Sequence, residues 1–356
     1  MGQMVGNPML EIENVIHRYG AVTALNNVSL SAAKGEFLTI LGSSGSGKTT
    51  MLRIISGLEL PTSVKTLRIG GADVARLPAA KRNCTTVFQN YALFPHMSVL
   101  ENVAYGLRIR GMNRIDAAAE ARRALAMVQL EAKADRGIAQ MSGGERQRVA
   151  LARSVVTKPA ILLLDEPLGA LDERLRLDMQ TELMELQRSL DMTFIYITHS
   201  EEEALTMSDR VVLMSRGAIV QSGGPLDLFD RPNSRFAASF MGYENILEAK
   251  LIGREGSTGQ LEFASGHRMS GLITDPSVAT GAKVGVAIRA ERLLGDSTGP
   301  RLGAKVLSHV YRGKYTDMSL QTDIGPLKLR SWQADGPAEI PSVGWAAKDA
   351  VIFAAE

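Results

Sequence analysis

The chain is short of three things. It has one cysteine, Cys84, in 356 residues, so no disulfide can form within it, and that fits a reducing cytoplasm. Cys84 itself reads as a buried or half-buried spectator rather than a reactive thiol. There is no excess of either charge: 40 basic against 38 acidic side chains leave a net +2, so nothing calls for nucleic acid or an anionic membrane surface. Long apolar runs are missing too. Residues 161–164 and 211–214 are strand-length, far below the ~20 residues that cross a bilayer. Residues 1–10 carry no basic segment followed by an apolar one, so no secretory leader is expected. What remains is an ordinary hydrophobic fraction of 45%, in a chain long enough for two or three domains. The expectation is a soluble, cytoplasmic α/β protein.

What is present centres on Gly42-Ser43-Ser44-Gly45-Ser46-Gly47-Lys48-Thr49, directly after the apolar run Phe37-Leu38-Thr39-Ile40-Leu41. A buried strand, a G-x-x-x-x-G-K-[ST] loop and a helix (Thr49-Thr50-Met51-Leu52 onward, ended by Gly57) form the context in which this motif holds a nucleotide. The glycines let backbone N–H groups turn inward around phosphate oxygens, with a positive helix N-terminus behind them. Lys48 is expected to reach the terminal phosphates and the Thr49 hydroxyl to ligate Mg²⁺.

Around the loop, residues 10–13 and 28–31 alternate as half-buried strands, with Tyr19 between them. Tyr19 reads either as a stacking partner for a purine or as turn packing. Residues 67–69 with the Gly70-Gly71 turn resemble another edge strand, and 87–89 a short strand ending at Gln89. The loop that follows carries Tyr91, Leu93, Phe94, Pro95 and Met97, which suit internal packing or a docking surface equally. Residues 100–158 read as helical, with helices at 117–130 and 146–158 and Ser142 placed as an N-cap. Buried strands at 161–164, 194–198 and 211–214 alternate with helices after Asp172 and over 201–207, which predicts a parallel, doubly wound sheet. From about residue 242 short alternating pieces replace the helices (283–288, 305–310, 317–322, 327–329, 351–354), the pattern of a small all-β barrel.

Together these residues make the chain resemble, over nearly its whole length, the ATP-binding subunits of ABC transporters. The Walker A loop is 42–49, and the Walker B strand ends in Asp165-Glu166. The signature motif is Met141-Ser142-Gly143-Gly144-Glu145, the Q-loop carries Gln89, the D-loop is Gly169-Ala170-Leu171-Asp172, and the H-loop carries His199. Residues 87–97 (VFQNYALFPHM), 168–172 and 198–209 look like the polyamine, ferric-iron, phosphonate and sugar importer group. Asn245-Ile246-Leu247 and Ile288-Arg289-Ala290-Glu291 look like that group's C-terminal oligonucleotide-binding-like (TOBE) domain.

The resemblance implies a P-loop NTPase domain over 1–241, with a helical subdomain at about 90–158, and a TOBE domain over 242–356. ATP and Mg²⁺ are the implied cofactors. Tyr19, Gly42, Ser43, Ser44, Gly45, Ser46, Gly47, Lys48, Thr49 and Thr50 contact the nucleotide, with Tyr19 stacking on adenine. Thr49, Gln89 and Asp165 hold the metal, and Glu166, Gln89 and His199 act on the attacking water and the γ-phosphate. Ser142, Gly143, Gly144 and Asp172 complete the site of a second copy, which makes a head-to-tail dimer. Two membrane permease chains dock on the loop around 89–97, and a periplasmic or extracellular solute-binding protein acts through them. This puts the chain on the cytoplasmic face of the cell membrane. The stretch from Lys81-Arg82-Asn83 to Gly106-Leu107-Arg108 looks most like putrescine/spermidine systems, with ferric iron or 2-aminoethylphosphonate as alternatives. Rivals of another class are a soluble ABC ATPase without a transport role and an ATP-dependent regulator. His17, His96, His267 and His309 read as ordinary surface or packing residues. Three departures stand out: Ser43 for the usual proline, Val64-Lys65 for a glycine turn, and Ser200 for the usual Asp after His199.

Overall fold

The computed structural model describes residues 8–169, 171–295, 300–332 and 339–355. They divide into two compact units, Met1–Pro225 and Leu226–Glu356.

The first unit opens with a hairpin, β1 (Leu10–Tyr19) and β2 (Val22–Ala32). Then come β3 (Phe37–Leu41), buried throughout, the glycine-rich loop and α1 (Lys48–Ser56). Two short strands, β4 (Thr66–Ile69) and β5 (Ala72–Asp73), turn at Gly70-Gly71 and complete an antiparallel sheet of order β2-β1-β4-β5. After β6 (Cys84–Val87) the chain becomes helical: α2 (Val99–Ile109), α3 (Arg114–Met127) and α4 (Gly143–Val155) share an apolar core that includes Val103, Leu125 and Val149. Strand and helix then alternate through β7 (Ile161–Asp165), α5 (Glu173–Leu190), β8 (Thr193–Thr198), α6 (Glu201–Met207) and β9 (Arg210–Ser215), with β10 (Ala218–Gly223) at the edge.

The second sheet has the order β10-β9-β3-β8-β7-β6 and is parallel except for β10. Its central strands lack polar alternation because both faces are covered. Along β7, Ile161 and Leu163 enter the core shared with α1 and the antiparallel sheet, while Leu162 and Leu164 enter the core against α5. Each such side chain contributes about 1.5–3 kcal/mol by leaving water. On α5, Met179, Leu183 and Leu186 are buried and Leu175 and Leu190 half-buried, one apolar stripe of helical period facing the sheet.

Element ends shift where caps decide them. The strand expected at 87–89 ends at Val87, leaving Gln89 in a turn. The helix expected at 117–130 starts at Arg114 because Asn113 accepts from the Asp116 N–H, and the one expected at 146–158 starts at Gly143, capped by Ser142.

The second unit opens with α7 (Pro225–Asp230) and α8 (Arg235–Phe240), ahead of the change of pattern at 242. It continues through β11 (Asn245–Glu255), β12 (Thr258–Glu262), β13 (Arg268–Ile273), β14 (Lys283–Ile288), β15 (Leu302–Tyr311), β16 (Thr316–Thr322), β17 (Gly325–Ser331), β18 (Ser342–Val343) and β19 (Ala350–Ala354). Strands β11-β12-β13-β19-β14 close into a five-stranded barrel with one parallel pair, β13/β19, and β17-β16-β15-β18 form a separate sheet. A small closed barrel of this kind is the OB-like architecture its alternating strands predict.

One buried cation ties the loop's helix to the antiparallel sheet. Arg82, 3% exposed, donates from Nη1 to the Ile54 and Ile55 carbonyls at 2.6 and 3.0 Å, and from Nε to the Leu77 carbonyl at 2.8 Å. It satisfies the open carbonyls at the negative end of α1. Replacing Arg82 by Met should lower unfolding stability by about 2–4 kcal/mol, because buried carbonyls lose a charged donor. Urea unfolding followed by fluorescence measures this, and a loss under about 0.5 kcal/mol would remove Arg82 from the capping role.

Candidate nucleotide site

β8 lies between β3 and β7, with Leu41 level with Thr198 and Asp165 level with Ile197. The loop after β3, the acids after β7 and His199 after β8 therefore leave the sheet at the same carboxyl-terminal edge, where open parallel sheets bind ligands.

The loop's path needs its glycines. Gly47 has φ +101, and a Cβ there would stand 2.6 Å from the Ala24 carbonyl oxygen; a Cβ on Gly42 would stand 2.3 Å from that of Met214. Ser43, Ser44, Gly45 and Thr49 are exposed, whereas Ser46 and Lys48 are buried. Among the described residues, no protein acceptor takes the backbone N–H of Ser44, Gly45, Gly47, Lys48 or Thr49. Lys48, 5% exposed, folds over the loop, its Nζ donating to the Gly42 and Ser43 carbonyls at 2.7 and 2.9 Å. Burial pulls its pKa down, opposed by the charges of Glu166 and Asp165. Since Ser43 contributes a carbonyl and its side chain is exposed, the missing proline costs the loop nothing visible.

Facing this cationic loop are two acids. Burial, then the charge of Glu166, pushes the Asp165 carboxyl above its ordinary pKa. Glu166 sits in the left-handed region, φ +44, with its N–H on the Ile197 carbonyl at 3.0 Å. His199 Nδ1 is 3.2 Å from Glu166 Oε2. A Cβ on Gly169 would lie 3.6 Å from Gln89 Nε2 and 3.4 Å from the Glu166 carbonyl oxygen, so the Gln89 amide reaches the same turn. The carboxylate of Asp165, the amide oxygen of Gln89 and the hydroxyl of Thr49 are hard oxygen donors, a set that suits Mg²⁺ completed by phosphate and water. Among the described residues, no three of His, Cys, Asp and Glu form a metal cage by themselves.

Behind the edge, Glu203 is buried on α6 and accepts from Tyr196 and Thr198 hydroxyls at 2.8 and 2.6 Å. Burial raises the Tyr196 phenol well above its usual range. Ser200 caps α6 by accepting from the Glu203 N–H, so it performs the N-cap role that Asp also fills, and this network fixes the exit of β8 before His199. Glu203 had no signal in the sequence beyond its place in an acidic first turn.

Ser142, Gly143 and Gly144 lie elsewhere. Ser142 and Glu145 form a reciprocal capping box, Gly143 lies nearest Leu171, and Gly144 packs on Leu175, not on the 42–49 loop. Asp172 caps α5 through the Leu175 N–H at 3.0 Å. Ala170 of the same turn lies outside the described residues. Tyr19, 45% exposed, donates to Glu59 at 2.6 Å, and the Thr50 hydroxyl acts on the same phenol oxygen. His17, read as an ordinary surface or packing residue, is buried and has partners of its own, 3.3 Å from Glu59 and edge-on to Tyr19. In the loop after Gln89, Tyr91 is buried and Phe94 half-buried, so packing accounts for part of that apolar cluster. Cys84 is half-buried and burial pushes its thiol up to about 11, consistent with a spectator. A cavity of about 450 Å³ walled by Met9, Met127, Val155 and Met192 lies by the opposite ends of β7 and β8, so chemistry rather than concavity marks the nucleotide site.

Loop, acid pair and strand order define a P-loop nucleotide hydrolase. A family profile described as "ABC transporter" matches residues 25–169. The spermidine/putrescine import ATP-binding protein PotA of Haemophilus influenzae is 43% identical, over 90% of this chain and 86% of the relative. The Fe(3+) ions import ATP-binding protein FbpC of Rhizobium etli is 44% identical, over 88% of each. A solved ATP-binding cassette, dimeric and bound to ADP and Pi in a post-hydrolysis state, has a TM-score of 0.54 and 31% identity, over 61% of this chain and 99% of that one. The chain belongs to the ABC transporter ATP-binding protein family.

The signature turn carries a pH dependence. The Lys133 ammonium, followed by the Ser142 N–H, pulls the Glu145 carboxyl from 4.5 to about 2. A depressed carboxyl stabilises the fold above its unfolded pKa, and that contribution is lost as pH falls through the folded value. The stability difference between wild type and Glu145→Gln should therefore be full above pH 4.5 and gone near pH 2. Thermal melts across that range check this; a constant difference would exclude the linkage.

Proposed function

We propose that the chain hydrolyses ATP to energise a solute importer, with polyamines such as spermidine and putrescine as first candidates for the cargo. The observation that carries this is the cationic loop facing the Asp165–Glu166 pair, in a chain 43% identical to a spermidine/putrescine import ATP-binding protein. Ferric iron is the second reading, supported by the 44% identity to an Fe(3+) import protein.

In this reading residues 42–50 hold the triphosphate, with Lys48 turning from its own carbonyls to phosphate oxygens, and Tyr19 stacks on the adenine. Glu166 orients the attacking water and accepts its proton, and His199, 3.2 Å away, holds that carboxylate and meets the γ-phosphate. Thr49, Gln89 and Asp165 would hold Mg²⁺, which when bound neutralises developing phosphate charge. Water adds to the γ-phosphorus and the bond to ADP breaks, releasing phosphate. Ser142, Gly143, Gly144 and Asp172 serve the site of a second copy in a head-to-tail dimer; the outward capping turn and the dimeric ABC cassette support this. Residues 1–241 act as the nucleotide-binding domain, with the helical subdomain at about 90–158, and 242–356 as the TOBE domain. Among the described residues no helix is long and apolar enough to cross a membrane. The likeness to importer ATP-binding proteins supports separate permease chains, docked on the loop around 89–97, with this chain on the cytoplasmic face and a solute-binding protein on the other side.

Uptake of labelled spermidine, putrescine and ferric iron in cells lacking the gene tests the reading. Wild type should restore one of these uptakes and Glu166→Gln none of it, while still binding ATP. Restoration by Glu166→Gln would overturn the catalytic assignment, and no loss of any uptake in the deleted cells would overturn the cargo assignment.

The docking loop supplies its own test. Tyr91 and Ala92 both adopt left-handed backbone, φ 62 and 46, and Arg153 holds them by donating to their carbonyls at 2.8 Å each while lying over Phe94. Arg153→Met should leave ATP hydrolysis by the isolated subunit within about twofold and reduce uptake at least about fivefold, since two carbonyls lose a charged donor worth ~1–3 kcal/mol. Hydrogen exchange at 91–97 should rise in parallel.

A further inference from the structure

Beside Tyr19, at the end of β1, lie two groups, His17 and Glu59, that no role yet described uses. Glu59 follows the left-handed cap Gly57 of α1, its N–H on the Arg53 carbonyl at 3.1 Å, so its position is set by the helix that begins at Lys48. One carboxylate oxygen accepts from the Tyr19 hydroxyl at 2.6 Å. The other lies 3.3 Å from Nε2 of His17, which is 6% exposed. The His17 ring meets the Tyr19 ring edge-on, centroids 4.7 Å apart and planes at 83°. Next to it, the Arg18 N–H donates to Thr62 Oγ1 at 3.0 Å and Ile16 pairs with Ser63, so the segment that follows Glu59 is bound to β1 on both sides of His17.

An exposed tyrosine at a strand end ordinarily samples several rotamers, and ordering it on binding costs about 0.5–1.5 kcal/mol. Here the phenol is tied at its tip by Glu59 and braced at its edge by a buried imidazole, so its ring plane is set before any ligand arrives. Burial and the Glu59 acceptor also raise the Tyr19 phenol above its usual pKa, which keeps it a donor.

We propose that Glu59 is a positioning residue that pre-orders Tyr19, with His17 as the brace, so that the P-loop helix and the platform for the base form one rigid unit. The proposal rests on the reading of Tyr19 as the stacking residue. Its effect is on ATP affinity and not on the chemical step, because neither Glu59 nor His17 approaches the Asp165–Glu166 turn.

The test uses the full-length protein, with steady-state ATPase kinetics and equilibrium titration with a fluorescent ATP analogue. Glu59→Leu should raise KM for ATP about 2- to 10-fold, the loss of one hydrogen bond of ~0.5–1.5 kcal/mol, with kcat within about twofold. Glu59→Gln keeps an acceptor and should restore wild-type KM. Tyr19→Phe should raise KM as Glu59→Leu does, and the double variant should be no worse than either single one, since both remove the same bond. A KM unchanged in Glu59→Leu and Tyr19→Phe but raised in Tyr19→Ala overturns the positioning role while the stacking reading stands. An unchanged KM in Tyr19→Ala overturns the stacking reading and the proposal with it. A change in kcat with constant KM also overturns the proposal. Thermal melts of each variant separate these outcomes from misfolding.

Discussion

The arrangement depends on an electrostatic conflict around Lys48. Its ammonium is buried, which works against its charge, and it is held by two carbonyls of its own loop. Across from it Asp165 is also buried and is crowded by Glu166, which works against a negative charge there. The two halves attract one another, yet each keeps unmet demand: amide donors without acceptors on the loop, and two adjacent acids of which Glu166 meets His199 and Asp165 feels only the charges of Arg53 and Lys48 as counterweight. A simple anion would satisfy the loop and repel the acids, and a simple cation the reverse. A polyphosphate carrying a divalent cation would satisfy both, which is the electrostatic argument for the metal–nucleotide pair of the proposed function.

The sheet makes the conflict possible. Placing β8 between β3 and β7 separates loop from acids by one strand and delivers His199 between them, all at one edge. The rigidity of that edge comes from groups that touch no ligand. Arg82 closes the far end of α1, and Glu203 ties Tyr196 and Thr198 to α6. Breaking such buried contacts strands a polar group away from water, so they fix one arrangement and penalise alternatives.

Much of this was legible in the sequence because it rests on local rules. The loop, the buried strand before it, Asp165-Glu166 and the Ser142 cap are written in contiguous residues whose physics needs no distant partner. The barrel of the second unit was legible as period-two strands, and the helix starts shifted only where Asn113 and Ser142 took up capping. What escaped were contacts between residues far apart in the chain. His17 and Glu59 are 42 positions apart and Arg153 and Tyr91 62, as the numbering in the chain gives them, and nothing in either neighbourhood marks the pairing. Glu203 carried no mark in the sequence because its burial against Tyr196 cannot be read from an acidic helical turn. Ser200 looked like a loss and is a cap.

One element joins the signature turn to the loop at 91–97, the surface proposed for docking. Helix α4 begins at the Ser142 turn and carries Arg153 in its last turn. Its thirteen residues span about 20 Å as a single rigid rod. At the far end Arg153 grips Tyr91 and Ala92, whose left-handed backbones each cost about 1–2 kcal/mol and persist only because their carbonyls are held. A rod anchored at one end in a capping turn and at the other in a strained loop has little freedom to absorb displacement within itself. The helix thus gives a contiguous physical connection from Ser142 to residues 91–97, and Gln89, next to the Glu166–Gly169 turn, continues it to the acids. In the head-to-tail dimer proposed above, the same helix would carry the state of a second copy's nucleotide to residues 91–97 and the state of that loop back to the site, because both depend on one set of hydrogen bonds.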